Sequence, residues 1–351
     1  MQPENFLRAC GFLLGPAAFA IGLLAGASLA AAKAPESCAP PPPSPLTINV
    51  KDHGAKGDGR SDDTAAIQAA IDLAGGTKGS TVLVPAGTYM IDAAGSSRLH
   101  LNGDMTLKLA EGAILKAFPS ASAKYTLLTI KDVSNVWVVG GTIEGERDRH
   151  KGKKGQGGMG LSILHGAKHI TVIGVTARRM WHDGFYVKNA EDVRFCSVTA
   201  DFNRRQGMSI IHADGVLVLN SVFKNTRGTR PGAGIDLEPD RDEQEIKNVR
   251  IEGSKFINNA GGGIMVSGRA ARVSKLQLTR NTFTDNRPFV VTNAPAVASG
   301  ICRNRQTSQQ IETGSGFNLY AEPVEIVSFQ TECGETSFVV NRHAEKKKKG
   351  R

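Results

Sequence analysis

The chain has 351 residues, of which 40 % are hydrophobic and 6 % aromatic, so it holds ample apolar material for one sizeable domain and composition excludes a disordered chain. Forty glycines and a scarcity of long amphipathic stretches point to many short strands joined by tight turns, as in a solenoid, sandwich or propeller, rather than to a helical bundle. The formal net charge of +10 implies an anionic partner; part of it is the run Lys346–Lys349 with Arg351, which reads as a solvated tail, and the rest includes Arg147 to Lys154 and Arg178 to Arg230.

At the N-terminus, Arg8 precedes an apolar Gly/Ala-rich stretch from Gly11 to Ala32 that ends in the small residues Ser28, Ala30, Ala31 and Ala32. This is the outline of a secretory signal over residues 1–32, which implies a secreted or periplasmic protein with no membrane association after cleavage. The alternative is an uncleaved anchor, since about 20 residues suffice to span a bilayer. Residues 33–46 follow as a Pro-rich linker, with Ala39-Pro-Pro-Pro-Pro-Ser-Pro45 as a semi-rigid spacer. Export permits disulfides, and Cys302 with Cys333 is the expected pair, in an irregular C-terminal region where a staple helps most. Cys196, in the apolar run Val193–Val198, reads as a small core residue. The five cysteines show no metal-ligand spacing.

Residues 47–343 read as one solenoid, with a basic tail at 344–351. Near its start, about residues 62–74, acidic N-cap residues precede Ile67, Ala70 and Ile71 on one face, and Gly75-Gly76 stops the turn; this predicts a helix that covers the first coil. Strands resume at Thr81–Val84. A repeat then emerges, in which a glycine leads an alternating strand at Gly160, Gly184, Gly207, Gly234 and Gly263, in steps of 24, 23, 27 and 29 residues. Between these lie second alternating strands, such as His169–Ile173, Asp192–Phe195 and Asn248–Ile251, leading to corners such as Phe223-Lys-Asn225 and Phe256-Ile-Asn-Asn259. Such a repeat predicts an all-β fold, a single-stranded right-handed parallel β-helix with an N-terminal capping α-helix. The period breaks after Ala294, and residues 294–343 read as an irregular cap or side loop.

The stretch from Ile48 to Ile71, with Val84-Pro-Ala-Gly-Thr-Tyr89, resembles the opening of the pectate-lyase-like superfamily, whose members include polygalacturonase-like glycoside hydrolases and phage tailspikes. The resemblance spans approximately residues 46–290 and implies the fold and a carbohydrate polymer as partner. For an exported chain with this charge, an acidic polysaccharide ranks above nucleic acid. The superfamily hosts hydrolases, lyases, epimerases and adhesins, so the reaction stays open. The Asn-Thr-Asp, Asp-Asp, Gly-His-Gly and Arg-Ile-Lys blocks of polygalacturonases are not intact here, nor is the Arg-x-Pro-x-x-Arg block of calcium pectate lyases. Tailspike-like relatives often trimerise; the sequence shows no trimerisation signal, leaving monomer or homotrimer.

Strand alternation locates a candidate site, because residues two apart share a face and coils stack at about 4.8 Å. Counting from each glycine, the second residues, Ser162, Tyr186, Ser209, Asp236 and Met265, point outward, as do the fourth, Leu164, Lys188, Ile211, Glu238 and Ser267. His182 and Asp183 precede one glycine; Arg204, Arg205 and Gln206 precede the next. Asp236 and Glu238 form the expected catalytic pair of a glycoside hydrolase, about 6–7 Å apart along the strand. His182, Asp183, Tyr186, Lys188, Arg204, Arg205 and Gln206 are the expected substrate contacts, the arginines holding a uronate or sulfate. In a polysaccharide lyase or a C5-epimerase, Tyr186, His182, Lys188 or an arginine would be the base, with Arg204 and Arg205 neutralising the uronate. A non-catalytic glycan binder is the third possibility. Trp181 is either a platform for a sugar ring or a turn filler. No cofactor is indicated, although Pro239–Glu243 with Asp236 and Glu238 could assemble a Ca²⁺ site.

Overall fold

The computed structural model describes residues 37–94, 98–153, 155, 157–241, 243–266 and 272–286, together with the strands Val290–Thr292, Ala296–Cys302, Arg305–Gln306 and Thr336–Phe338. The signal, the start of the linker, Cys333 of the expected Cys302–Cys333 pair, most of 294–343 and the basic tail lie outside the described residues.

The described chain is the expected right-handed parallel β-helix. Its strands stack in three ladders. The first runs through Leu99–Leu101, Thr126–Lys131, the first halves of Met159–Ile173, Asp183–Cys196 and Gln206–Leu219, and then Ile235–Leu237, Ile264–Val266 and Val290–Thr292. The second takes the latter halves of the same three long strands between Ser134–Val139 and Glu245–Glu252. A separate ten-stranded sheet forms the third. The sequence reads each long strand as two; they are continuous, bent where His165 and Asn189 take positive φ.

The recurring glycine has a specific cause. A Cβ on Gly184 would lie 2.7 Å from the carbonyl oxygen of Gly207, and one on Gly234 would lie 2.6 Å from that of Gly263, so successive coils approach too closely there for any side chain. Inward positions are apolar and buried, with Phe223, Phe256 and Phe283 stacked at 5.4 and 4.9 Å between centroids. At the corner that follows, Asn225 and Asn258 adopt the left-handed region, which Asn tolerates better than most residues. The adjacent Asn259 and Asn286 are buried and bond the carbonyls of Phe223 and Phe256 at 2.9 and 2.7 Å, so the polar corner is satisfied inside the core. On the third ladder Lys116, Glu144, Arg178, Asp201 and Lys224 stack in register with alternating sign. Glu144 bonds Lys116 at 2.8 Å and the Nε of Arg178 at 2.7 Å.

The helix spans Thr64–Ala74 and packs Ile67, Ala70, Ile71 and Ala74 against the first strands. Its acids act differently from expectation. Asp63 occupies the N-cap without a side-chain capping bond and instead accepts from the amides of Lys56 and Gly57, while Asp62 accepts from the amide and hydroxyl of Thr64.

Cys196 is not a free core residue: it is bonded to Cys38, 158 residues away. The alternation explains this, since Val193 and Phe195 face inward and Cys196, last in its strand, does not. The Pro-rich spacer is therefore anchored at Cys38. Closing so long a loop restricts the unfolded chain, and Cys38→Ser is expected to lower unfolding free energy by about 2–4 kcal/mol. Urea denaturation of the oxidised protein checks this; a midpoint unmoved by either the substitution or a reductant would show that the bridge adds nothing.

Candidate active site

The expected outward row is present: Thr129, Ser162, Tyr186, Ser209, Asp236 and Met265 pair coil to coil. The row two residues on is corrected. The register shifts after Val187, so Lys188 stands opposite His212 while Ile211 is buried out of line. Glu238 lies just past the end of its strand, its amide bonded to the carbonyl of Ile210 at 2.8 Å.

The outward row is not a solvated face. Asp183, Gln206 and Asp236 are fully buried and His182 is 3 % exposed, while the Arg205 and Glu238 side chains keep 11 % and 15 %. Arg205 donates both terminal nitrogens to Glu238, at 2.6 and 3.3 Å, and sits 3.7 Å from Asp183. Ser209 donates to Asp183 at 2.9 Å. Gln206 donates to Asp236 at 2.6 Å and accepts the Ala233 amide at 2.8 Å, tying the following loop to the cluster. Of the expected contacts, His182, Asp183, Arg205 and Gln206 thus converge on or beside the acids, and Tyr186 feels their charge; Lys188 makes none of these contacts.

Arg205 lies among the carboxylates Asp183, Asp236 and Glu238, and the electrostatics follow from that arrangement. Burial raises the Glu238 carboxyl above its ordinary value; Arg205 opposes the rise, and Asp183 and Asp240 add to it. Burial works against the charge on Arg205, but Asp183, Glu238 and Asp236 outweigh it and hold the cation well above its usual range. The Tyr186 phenol is pushed up to about 12, first by burial and then by Asp183, Glu238 and Asp240, so it keeps its proton at neutral pH. His182 Nδ1 is 3.1 Å from an oxygen of Asp183, which favours the tautomer with the proton on Nδ1. Neither ring nitrogen has an aligned hydrogen bond, and Asp183 Oδ1 and Arg205 Nε are likewise buried without one. Other buried polar atoms without an aligned bond lie outside this cluster, at Glu146, His150 and Trp181 among them.

Arg204 diverges from its neighbour. Its guanidinium lies 3.9 Å from the Trp181 ring, which also stacks on His150 at 3.8 Å, and His150 bonds Glu146 at 2.8 Å. Packed between these neighbours, Trp181 is a turn filler. Sequence reasoning missed His150 and Glu146, which fall outside the glycine-led repeat that located the other candidates. The proposed calcium loop includes Asp242, outside the described residues, and among the described residues no cluster of three or more His, Cys, Asp or Glu is arranged to hold a metal.

Residues 47–137 match the family model described as rhamnogalacturonase A/epimerase, pectate lyase-like. The chain is similar to the uncharacterized protein YclG of Bacillus subtilis, 26 % identical over 329 residues that cover 80 % of this chain and 56 % of the relative. It is also similar to the mannuronan C5-epimerase AlgE5 of Azotobacter vinelandii, 37 % identical over 63 % of this chain and 26 % of the relative. The chain thus spans about half the length of the first and a quarter of the second. Among solved structures, a family 28 exopolygalacturonase of Yersinia enterocolitica superposes with a TM-score of 0.55 at 18 % identity, covering 76 % of this chain and 62 % of that one, a likeness of fold. The pectate-lyase-like resemblance of residues 48–89 is borne out.

Proposed function

We propose that this pectate-lyase-like β-helix is an exported enzyme acting on a uronic-acid polysaccharide, and that it moves the proton at C5 of a sugar whose carboxylate docks at Arg205 and Glu238. The observation that carries this reading is the buried Arg205 guanidinium set among Asp183, Asp236 and Glu238, beside a phenol held neutral. A uronate carboxylate adds one more negative charge, so docking favours the protonated form of Glu238, which then donates a hydrogen bond to it. Neutralising that carboxylate acidifies the adjacent C–H. His182 Nε2, its tautomer set by Asp183, is the acceptor, and Tyr186 is the donor that returns a proton to the opposite face, giving the C5 epimer. Loss of the substituent at C4 instead would give a lyase product. The sequence similarity to mannuronan C5-epimerases supports the uronate substrate and the epimerase outcome.

Hydrolysis is the second reading, favoured by the raised carboxyl of Glu238, which suits a general acid. Its partner Asp236 is buried and held by Gln206, a poor position from which to activate water.

The two readings share a pH dependence. Glu238 must hold its proton, so the rate falls as pH rises through its elevated pKa. Under the proton-transfer reading Glu238→Gln carries a donor that cannot titrate and is expected to erase this alkaline limb while leaving measurable activity on a uronate polymer, whereas under hydrolysis it removes the general acid and abolishes activity. A rate profile identical to wild type would remove Glu238 from the mechanism, and full activity in both Glu238→Gln and Asp236→Asn would move the site elsewhere.

A further inference from the structure

Immediately beside the acid cluster, three guanidinium groups gather without a counter-anion. Arg147 lies with Cζ 4.0 Å from the Phe202 ring centre and donates to the Phe202 carbonyl at 2.7 Å. Arg204 covers Trp181 and reaches only backbone carbonyls, those of Gly155 and Trp181 at 3.4 Å. Gly228 stands between the two: a Cβ there would lie 3.1 Å from Arg204 Cγ and 3.3 Å from Arg147 Nη2. Arg227, the preceding residue, is exposed and touches only the Asn258 carbonyl, at 3.5 Å. Among the described residues none of the three has a carboxylate within ion-pair distance, whereas the nearby Arg179 is paired with Asp148. Arg147 is held below its ordinary value by burial, and Arg204, Arg227 and Arg179 add to the effect against Asp148.

Phe202 gives a second, independent sign. At equivalent corners Arg179, Asn225, Asn258 and Asp285 also take positive φ; Phe202 does so at +57°, the one aromatic residue among them. Its ring lies beneath Arg147, with Arg179 at 5.3 Å. Like charges so placed repel until an anion joins them, and guanidinium forks match the oxygens of carboxylate and sulfate.

We propose that Arg147, Arg204 and Arg227 form a subsite for an oxyanion group, carboxylate or sulfate ester, on a sugar unit neighbouring the one docked at Arg205 and Glu238. The location follows from the chain, since Arg204 and Trp181 directly precede Arg205 and His182. The inference rests on the polysaccharide reading above and assigns it a second point of charge recognition.

Calorimetric binding of a uronate oligosaccharide, its carboxyl-reduced counterpart and a sulfated neutral oligosaccharide tests it, with wild type, Arg227→Gln and Arg147→Gln at low and physiological salt. Arg227 is exposed, and the thermal midpoint checks that both variants remain folded. The expected result is a loss of roughly 5- to 10-fold in affinity per substitution for a charged ligand, greatest at low salt, and none for the carboxyl-reduced one. Preference for the uronate or for the sulfated ligand in wild type then identifies which oxyanion the subsite takes. If wild type binds a charged oligosaccharide and both variants bind it equally at low salt, the subsite is wrong and the enzyme reading stands. If wild type binds no charged oligosaccharide, the polysaccharide reading fails and the subsite with it.

Discussion

Arg205→Ala is expected to destabilise the folded protein by about 3–5 kcal/mol at neutral pH, the range for removing one partner of a buried ionic group. Asp183 and Asp236 are fully buried and Glu238 nearly so, and the substitution removes the guanidinium that bonds Glu238 and lies 3.7 Å from Asp183. The loss should depend on pH in a definite direction. Arg205 opposes the rise of the Glu238 carboxyl, so without it Glu238 binds its proton more tightly in the native state than in the unfolded chain, whose Glu reference is 4.5. Stability of the variant therefore falls as pH rises above that value, and the deficit relative to wild type shrinks on acidification toward pH 4. Wild type shows the same slope in weaker form, because Glu238 is raised even with Arg205 present. Chemical denaturation at two pH values reads both effects. A deficit under about 1 kcal/mol, or one that grows in acid, would mean that Arg205 is an ordinary surface cation.

The largest catalytic effects are expected at Tyr186 and His182. Tyr186→Phe keeps the ring and removes only the hydroxyl, whose proton burial and three acids hold in place, and His182→Ala removes the acceptor while Asp183 remains. Each should lower kcat about 10²- to 10⁴-fold on a uronate polymer, the usual worth of a positioned acid or base, with KM changed little because Arg205 and Glu238 still dock the carboxylate. A purely structural role would instead lower the thermal midpoint and leave kcat per folded molecule intact. Steady-state kinetics beside thermal melts separate the two cases.

Much of this architecture was legible in the residues. The glycine period marks where coil backbones touch, and the period-2 alternation correctly places Tyr186, Ser209 and Asp236 in one row. What alternation cannot convey is what lies over an outward row: Asp236 points away from the core and is nevertheless fully buried, because Gln206 and the loop reaching Ala233 close over it. Nor can it register a local insertion, and the shift after Val187 sets His212 rather than Ile211 beside Lys188. Arg204 and Arg205 are adjacent and chemically identical, yet one joins the acids and the other joins Trp181 and Arg147, since consecutive residues leave the backbone in different directions. The Cys38–Cys196 bridge was hidden for a related reason: its partners lie 158 residues apart, and no local pattern links them.

The most direct test of proton exchange at C5 is incubation of the enzyme with a mannuronan or other uronate polymer in deuterium oxide, followed by NMR of the polymer. Deuterium is expected at C5 of inverted residues, with no new reducing ends and no ultraviolet-absorbing unsaturated product, and inversion is expected to slow about 10²- to 10⁴-fold in the Tyr186→Phe and His182→Ala variants. New reducing ends with no deuterium at C5 would contradict it and establish hydrolysis instead.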